Sequence, residues 1–218
     1  EDENGVKRAK VIRDTSIGQN AFGNTSNFAS STIKMELERH LNDEAYEQID
    51  KVNFYVGPSS VPILSADTYY ANERSKTISN GNSSYVYNGK VGLLYVSDYY
   101  YTYGLGINDA CFKNSNSCTS GNPEALLNSS WMYKNINMWT MNTYTTSNQP
   151  VYYVTSSYGL SLAGTPSRYE TLPVAYLNSD IIHSDGDGTQ ENPYVINSSS
   201  NDKPDISYGE NNLVKQIL

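Results

Sequence analysis

Apolar residues in this chain come in short bursts between long polar stretches, and the spacing inside each burst predicts its element. Ile33, Leu37 and Leu41 recur at i, i+4 and i+8, with Ser31 or Thr32 placed to cap the start, which predicts a helix. Asn42 caps a second short helix, with Asp43 and Glu44 in its first turn complementing the dipole and Ala45, Tyr46 and Ile49 as its inner face. His40 lies beside the apolar stripe and reads as a core or boundary histidine ahead of a ligand. Residues 6–17 predict an opening strand that ends in a turn, followed by a polar loop to Ser30. Residues 52–56 predict a strand stopped by Gly57-Pro58, and residues 61–84 read as irregular. Residues 90–98 predict a buried strand bounded by Asn88-Gly89. Residues 137–141, 151–154 and 172–177 predict further strands, with a hairpin turn at Tyr158-Gly159-Leu160. No internal repeat is visible. Short early helices followed by mostly antiparallel strands with long loops make the chain α+β.

Composition shifts this picture toward an extracellular β-rich domain. The 218 residues suffice for one large domain. Apolar residues make up only 38%, but the chain carries 20 tyrosines, which bury a ring and keep a hydroxyl wet. Residues 1–197 read as a single module, and the Ser/Asn/Asp-rich stretch 198–218 as a linker and the start of a following segment. The net charge of -8 and the lack of a basic cluster beyond Lys7, Arg8 and Lys10 argue against nucleic acid and against direct contact with an anionic membrane. No run of about 20 apolar residues offers a membrane span. No cleavable signal sequence is visible, and the polar start Glu1-Asp2-Glu3-Asn4 leaves the compartment open.

Four features carry candidate chemistry. Cys111 and Cys118 lie close together in a Ser/Asn-rich loop, which predicts a small disulfide of an oxidising compartment, with two free thiols as the alternative. Zinc needs two further ligands, and only His40 and His183 exist, both remote in sequence. Asp185, Asp187 and Glu191 place carboxylates at alternating positions of a Gly-rich loop, a pattern that could hold calcium. The EF-hand pattern fails, because its twelfth position falls on Ile196. The favoured reading is a tight turn in which Gly186 and Gly188 supply positive φ, and no cofactor is expected beyond that optional Ca2+. Tyr99, Tyr100, Tyr101 and Tyr103 offer flat faces with polar edges for stacking on a sugar; strand alternation with one side buried is the favoured alternative. Trp139 reads as core, whereas Trp131 sits in a polar context and reads as exposed. No catalytic triad pattern, P-loop or dinucleotide fingerprint is present, and Glu36, Glu38, Asp43 and Glu44 read as a solvated helix face.

Several segments, in order, resemble one family. Residues 9–18 are similar to a "KVIKDTSIG" opening, and Tyr70-Ala-Asn-Glu-Arg74 to a "Y…ER" element. Residues 30–42 resemble an "S-x-I…LN" helix, and residues 87–99 resemble "W-x-GKIGLMYxSDYxY". Trp139-Thr140 resembles "WTL", and residues 172–196 resemble "VRPVxYLxSxVxIxxGDGTxxNPYVI". These motifs mark an uncharacterised domain of secreted and cell-surface proteins of gut Firmicutes, related to the C-type-lectin-like fold that includes formylglycine-generating enzymes. The chain departs from the pattern at Leu172, where the family has Arg, and at Tyr87 and Phe22, where it has Trp; the last two keep bulk suited to a core.

The resemblance implies short N-terminal helices packed on a twisted antiparallel sheet with long loops. It implies an extracellular, bacterial cell-surface module without catalytic residues, serving adhesion or ligand binding. The partners would be a host or bacterial surface glycan or protein, or other modules of a larger surface protein. The alternative is a structural, pilin-like or stalk subunit. A formylglycine-generating type of oxidase would use a cysteine pair with copper, but Cys111 and Cys118 have no supporting motif nearby.

Overall fold

An early segment and a late one lie side by side at the centre of the fold. The computed structural model describes residues 2–3, 6–41, 43–56, 66–74, 85–102, 130, 132, 135–144, 150–156, 160–179, 181–187, 192 and 195–197. The first half of the chain holds β1 (Asp2–Glu3), β2 (Val6–Lys7), β3 (Lys10–Ile12), β4 (Gln19–Ala21), a 3-10 turn at Phe28–Ser30, α1 (Thr32–Arg39), α2 (Asp43–Gln48) and β5 (Val52–Val56). Then come α3 (Ala66–Glu73), β6 (Tyr85–Gly89), β7 (Val91–Gly92), α4 (Val96–Tyr101) and β8 (Met138–Thr143). The second half continues with β9 (Val151–Val154), β10 (Leu160–Ala163), β11 (Arg168–Glu170), β12 (Val174–Tyr176), β13 (Ile182–Asp185) and β14 (Val195–Asn197).

Two sheets form the body. The larger runs β10-β9-β8-β11-β4, antiparallel except for a single parallel pairing of Glu170 with Met138 between β11 and β8. The smaller is antiparallel and runs β3-β12-β7, with Tyr176 opposite Lys10 and Ala175 opposite Val91. Pairing extends past the strands: Arg13 N–H donates to Pro173 O, Ile17 N–H to Thr171 O, and Leu177 N–H to Ala9 O, each at 2.9 Å. The opening motif is thus laced to the late run. Two-stranded ribbons β1-β2, β5-β6 and β13-β14 complete the pairing among the described residues. The α+β expectation stands.

Helix α1 forms where the spacing predicts. Ser31 caps it, its Oγ accepting from Lys34 N–H at 3.2 Å while donating to Phe28 O at 2.7 Å. Ile33 and Leu37 are fully buried and Leu41 is half-buried against the same cluster; full burial of each aliphatic side chain is worth roughly 1.5–3 kcal/mol. Gly23 lets the chain pass under this helix start with φ of 134°.

The core splits around β8, whose six residues are all buried. Trp139 and Met141 face a cluster with Phe22, Phe28, Ile33, Leu37, Phe54 and Tyr87. Met138 faces a second cluster with Tyr69, Leu94, Val96, Tyr99, Tyr152 and Leu172. Both faces of β8 are covered, so its side chains alternate between two cores rather than between core and water. Trp139 is core as expected, and its indole N–H donates to Asn20 O at 2.8 Å. Phe22 and Tyr87 also lie in this core.

Several expectations are corrected. The buried strand over residues 90–98 shrinks to Val91–Gly92, and the chain turns into α4 at Val96. A continuous apolar run carries no period to separate strand from buried helix. The stretch 61–84 contains helix α3 at Ala66–Glu73. The opening strand is two short strands, β2 and β3. Tyr46 is 48% exposed and packs over Lys90 Nζ at 3.8 Å, so it is no inner-face residue of α2. Ile49 is buried, but beyond the helix end, bridged to Leu177. His40 is exposed at the end of α1, where its Nδ1 lies 2.8 Å from Glu36 O, so it is no core residue.

Candidate functional site

Three separate segments bring charged side chains, and a fourth a buried amide, to one place between the cores. Helix α3 ends with Glu73 followed by Arg74; α4 opens with Ser97 and Asp98 in its first turn; β3 opens with Lys10; and β8 contributes Asn142. Glu73 is the most deeply buried charged residue among the described residues, 1% exposed. Its Oε1 accepts from Ser97 N–H at 3.0 Å and from Asn142 Nδ2 at 2.7 Å. Its Oε2 accepts a short hydrogen bond from Ser97 Oγ and pairs with Arg74 Nη1 at 3.2 Å. Asn142 is itself fixed, since its Oδ1 accepts from Val96 N–H at 3.0 Å. Each lone pair direction of the carboxylate is therefore met by a donor, the condition under which a buried charge is tolerated.

The chain of charges continues outward. Arg74 Nη2 lies 3.8 Å from Asp98 Oδ1, and Lys10 Nζ lies 2.7 Å from Asp98 Oδ2. Asp98 also closes the start of α4, its Oδ2 accepting from Tyr95 N–H at 2.8 Å. Two acids and two bases thus alternate from Glu73 to Lys10. Aromatic rings wall the cations: Arg74 stacks on Tyr70 at 3.7 Å and faces Tyr95 at 5.1 Å, while Lys10 Nζ lies 4.5 Å from the Tyr95 ring and 5.3 Å from that of Tyr176. Tyr95 is tied down by its hydroxyl, which donates to Tyr55 O at 2.8 Å.

Desolvation dominates the electrostatics of Glu73 and pushes its carboxyl above the ordinary range; Asp98 adds to the rise, while Arg74, Ser97 and Asn142 pull the other way. Burial likewise raises the phenols of Tyr69 and Tyr100, with neighbouring tyrosines adding to both shifts.

At the outer end the cluster meets solvent through Tyr70, which is 40% exposed and stands edge-on to Tyr101 with ring centroids 6.0 Å apart. This Tyr70–Arg74–Tyr101 group is the one place where the charge network and an exposed aromatic ring coincide among the described residues.

The predicted site residues distribute differently. Tyr99, Tyr100 and Tyr101 lie on helix α4 rather than on an alternating strand. Tyr99 and Tyr100 are buried, packed in the core with Tyr69 and Tyr152, and present no face for a sugar; Tyr101 is half-buried beside Tyr70. Tyr103, Trp131, Cys111, Cys118 and Glu191 lie outside the described residues, as does the stretch 198–218. Asp185 and Asp187 are exposed at a turn between β13 and β14. Gly186 has φ of 89°, Asp185 Oδ1 accepts from Gly186 N–H at 2.8 Å, and Asp187 N–H donates to Asn192 O at 3.1 Å, whereas Gly188 lies outside the described residues. Among the described residues no three His, Cys, Asp or Glu side chains are grouped to hold a metal. Glu36 pairs with Arg39 on the helix surface, but Glu38 accepts from the Tyr87 hydroxyl at 2.8 Å and pairs with Lys34 at 2.9 Å, so that face is tied to the core rim rather than only solvated.

The sequence did not single out Glu73, Arg74, Asp98, Lys10 or Asn142 as a group. Lys10 with Val11 and Ile12, Glu73 with Arg74, and Ser97 with Asp98 and Tyr99 each lie in a short stretch that the sequence marks singly, with no local signal joining them. Among the described residues no helix is long and apolar enough to cross a membrane. No protein-family model, curated protein or solved structure matches the chain, so its site rests on its own residues.

Proposed function

We propose that this chain is a non-catalytic ligand-binding module of a bacterial cell surface, with a C-type-lectin-like α+β fold, and that it takes a glycan at the Tyr70–Arg74–Tyr101 group. The carrying observation is that Tyr70 combines 40% exposure with a guanidinium stacked at 3.7 Å beneath it. A held aromatic ring offers its face to the C–H side of a sugar, and the neighbouring phenol and guanidinium offer hydrogen bonds to hydroxyls. The two acids support the same reading, because Glu73 and Asp98 are engaged in holding α3, α4, β3 and β8 together. The pairing of early β3 with late β12 and the short helices beside the sheets support the fold assignment.

The test is a glycan array probed with the full chain and with Tyr70→Ala. Binding by the parent chain and its loss in a Tyr70→Ala variant of unchanged melting temperature is the expected result. Absence of binding at high protein concentration, or binding untouched by the substitution, overturns the reading.

A further inference from the structure

We propose that Lys10 and Asp98 condense to an internal amide that staples strand β3 to helix α4. Lys10 Nζ lies 2.7 Å from Asp98 Oδ2 and is itself shut off from solvent. The rings of Tyr95 and Tyr176 flank the nitrogen, 4.5 and 5.3 Å from Nζ. Nucleophile and carboxyl are held at contact by two elements fixed independently, Lys10 by its pairing opposite Tyr176 and Asp98 by its capping bond from Tyr95 N–H. Such fixed juxtaposition replaces a bimolecular encounter with an intramolecular one.

The charge pattern favours the same outcome. The two side chains are 17% and 19% exposed, so the ion pair is held against a partial desolvation penalty, which a neutral amide lowers. Removing this pair strands no other charge, because Arg74 keeps Glu73 at 3.2 Å. The reaction balances within the pair. One ammonium proton passes across the 2.7 Å contact to the carboxylate and comes to rest on Oδ1, leaving an amine and a carboxylic acid. The amine lone pair attacks Cγ, and the Tyr95 N–H, 2.8 Å from Oδ2, holds that oxygen as it takes up negative charge. The Cγ–Oδ1 bond breaks as the carbonyl reforms, and Oδ1 departs as water with a second proton from nitrogen. Ammonium and carboxylate give amide and water, with no oxidant or other reactant.

Mass spectrometry of the reduced, denatured full chain tests this, followed by fragmentation of its proteolytic peptides. The expected mass is one water below that of the sequence, with a branched peptide joining the segments that hold Lys10 and Asp98. Lys10→Arg, which keeps the cation but cannot condense, restores the full sequence mass. If the variant does not accumulate, the branched peptide of the parent chain decides alone. A parent chain at full sequence mass overturns the proposal. So does a missing water traced to cyclisation of Glu1 or to a succinimide, or one that persists in Lys10→Arg.

Discussion

Replacing Glu73 by Ala removes the acceptor that three protein donors and one cation share. Ser97 N–H, Ser97 Oγ and Asn142 Nδ2 lose their partner in a water-excluded site, and Arg74 loses its carboxylate at 3.2 Å, with Asp98 as the next acid at 3.8 Å and Ser97 Oγ still accepting from its Nη1 at 3.3 Å. Breaking a buried pair in this way costs about 3–5 kcal/mol, a large share of a domain's stability. Glu73→Gln keeps the shape and one acceptor oxygen, so Ser97 N–H and Asn142 stay bonded and the loss falls to about 1–2 kcal/mol. Urea unfolding followed by circular dichroism separates the two substitutions by their midpoints. The sign of the pH dependence is fixed as well. Burial raises the folded carboxyl above the ordinary 4.5, so its stabilising contribution is complete below that value and is lost as pH rises through the folded pKa. The advantage of the parent chain over Glu73→Gln therefore shrinks as pH rises above 4.5. A Glu73→Ala variant as stable as Glu36→Ala, or a parent advantage that grows with pH, would refute the account of the cluster.

Other substitutions probe single contacts. Gly23→Ala must place a Cβ 2.7 Å from Thr32 N at a φ of 134°, and a lowered melting temperature equivalent to about 1–3 kcal/mol is expected. Trp139→Phe leaves Asn20 O without its indole donor and a void beside Phe22, for a loss of about 2–3 kcal/mol in denaturant midpoint. Tyr87→Phe keeps the ring against Phe28 and loses only the bond to the part-exposed Glu38, so chemical denaturation should report about 0.5–1.5 kcal/mol.

Local signals were legible wherever they acted within one segment. Ser31 with Ile33 and Leu37 marked α1, and the apolar bursts at residues 52–56, 137–141 and 151–154 marked β5, β8 and β9, because a cap or a period is written in neighbouring residues. Helix α3 escaped because its inward positions include Glu73 beside Tyr69, so an acidic side chain occupies what a hydrophobic pattern requires to be apolar. Helix α4 escaped because residues 91–97 are buried throughout, erasing the period; the spacing of Tyr95 and Asp98 was the remaining clue to its start. The charge cluster was illegible for another reason. Lys10, Glu73, Asp98 and Asn142 are each ordinary surface residues by composition, and only their convergence from distant segments makes them partners.

The lacing of residues 9–17 to residues 171–177 also sets the order in which the chain can fold. Strand β3 finds its partner in β12, made only after most of the described chain has been synthesised, and β7 waits on that same strand. Sequence-distant pairings of this kind must close large loops before they are rewarded, which slows folding. During synthesis at about 5–20 residues per second, the smaller sheet therefore stays unmade for roughly 8–30 seconds after Lys10 emerges. Its assembly is a late event, nearly all-or-none, and any chain cut short before residue 174 lacks the strand that joins its two flanks.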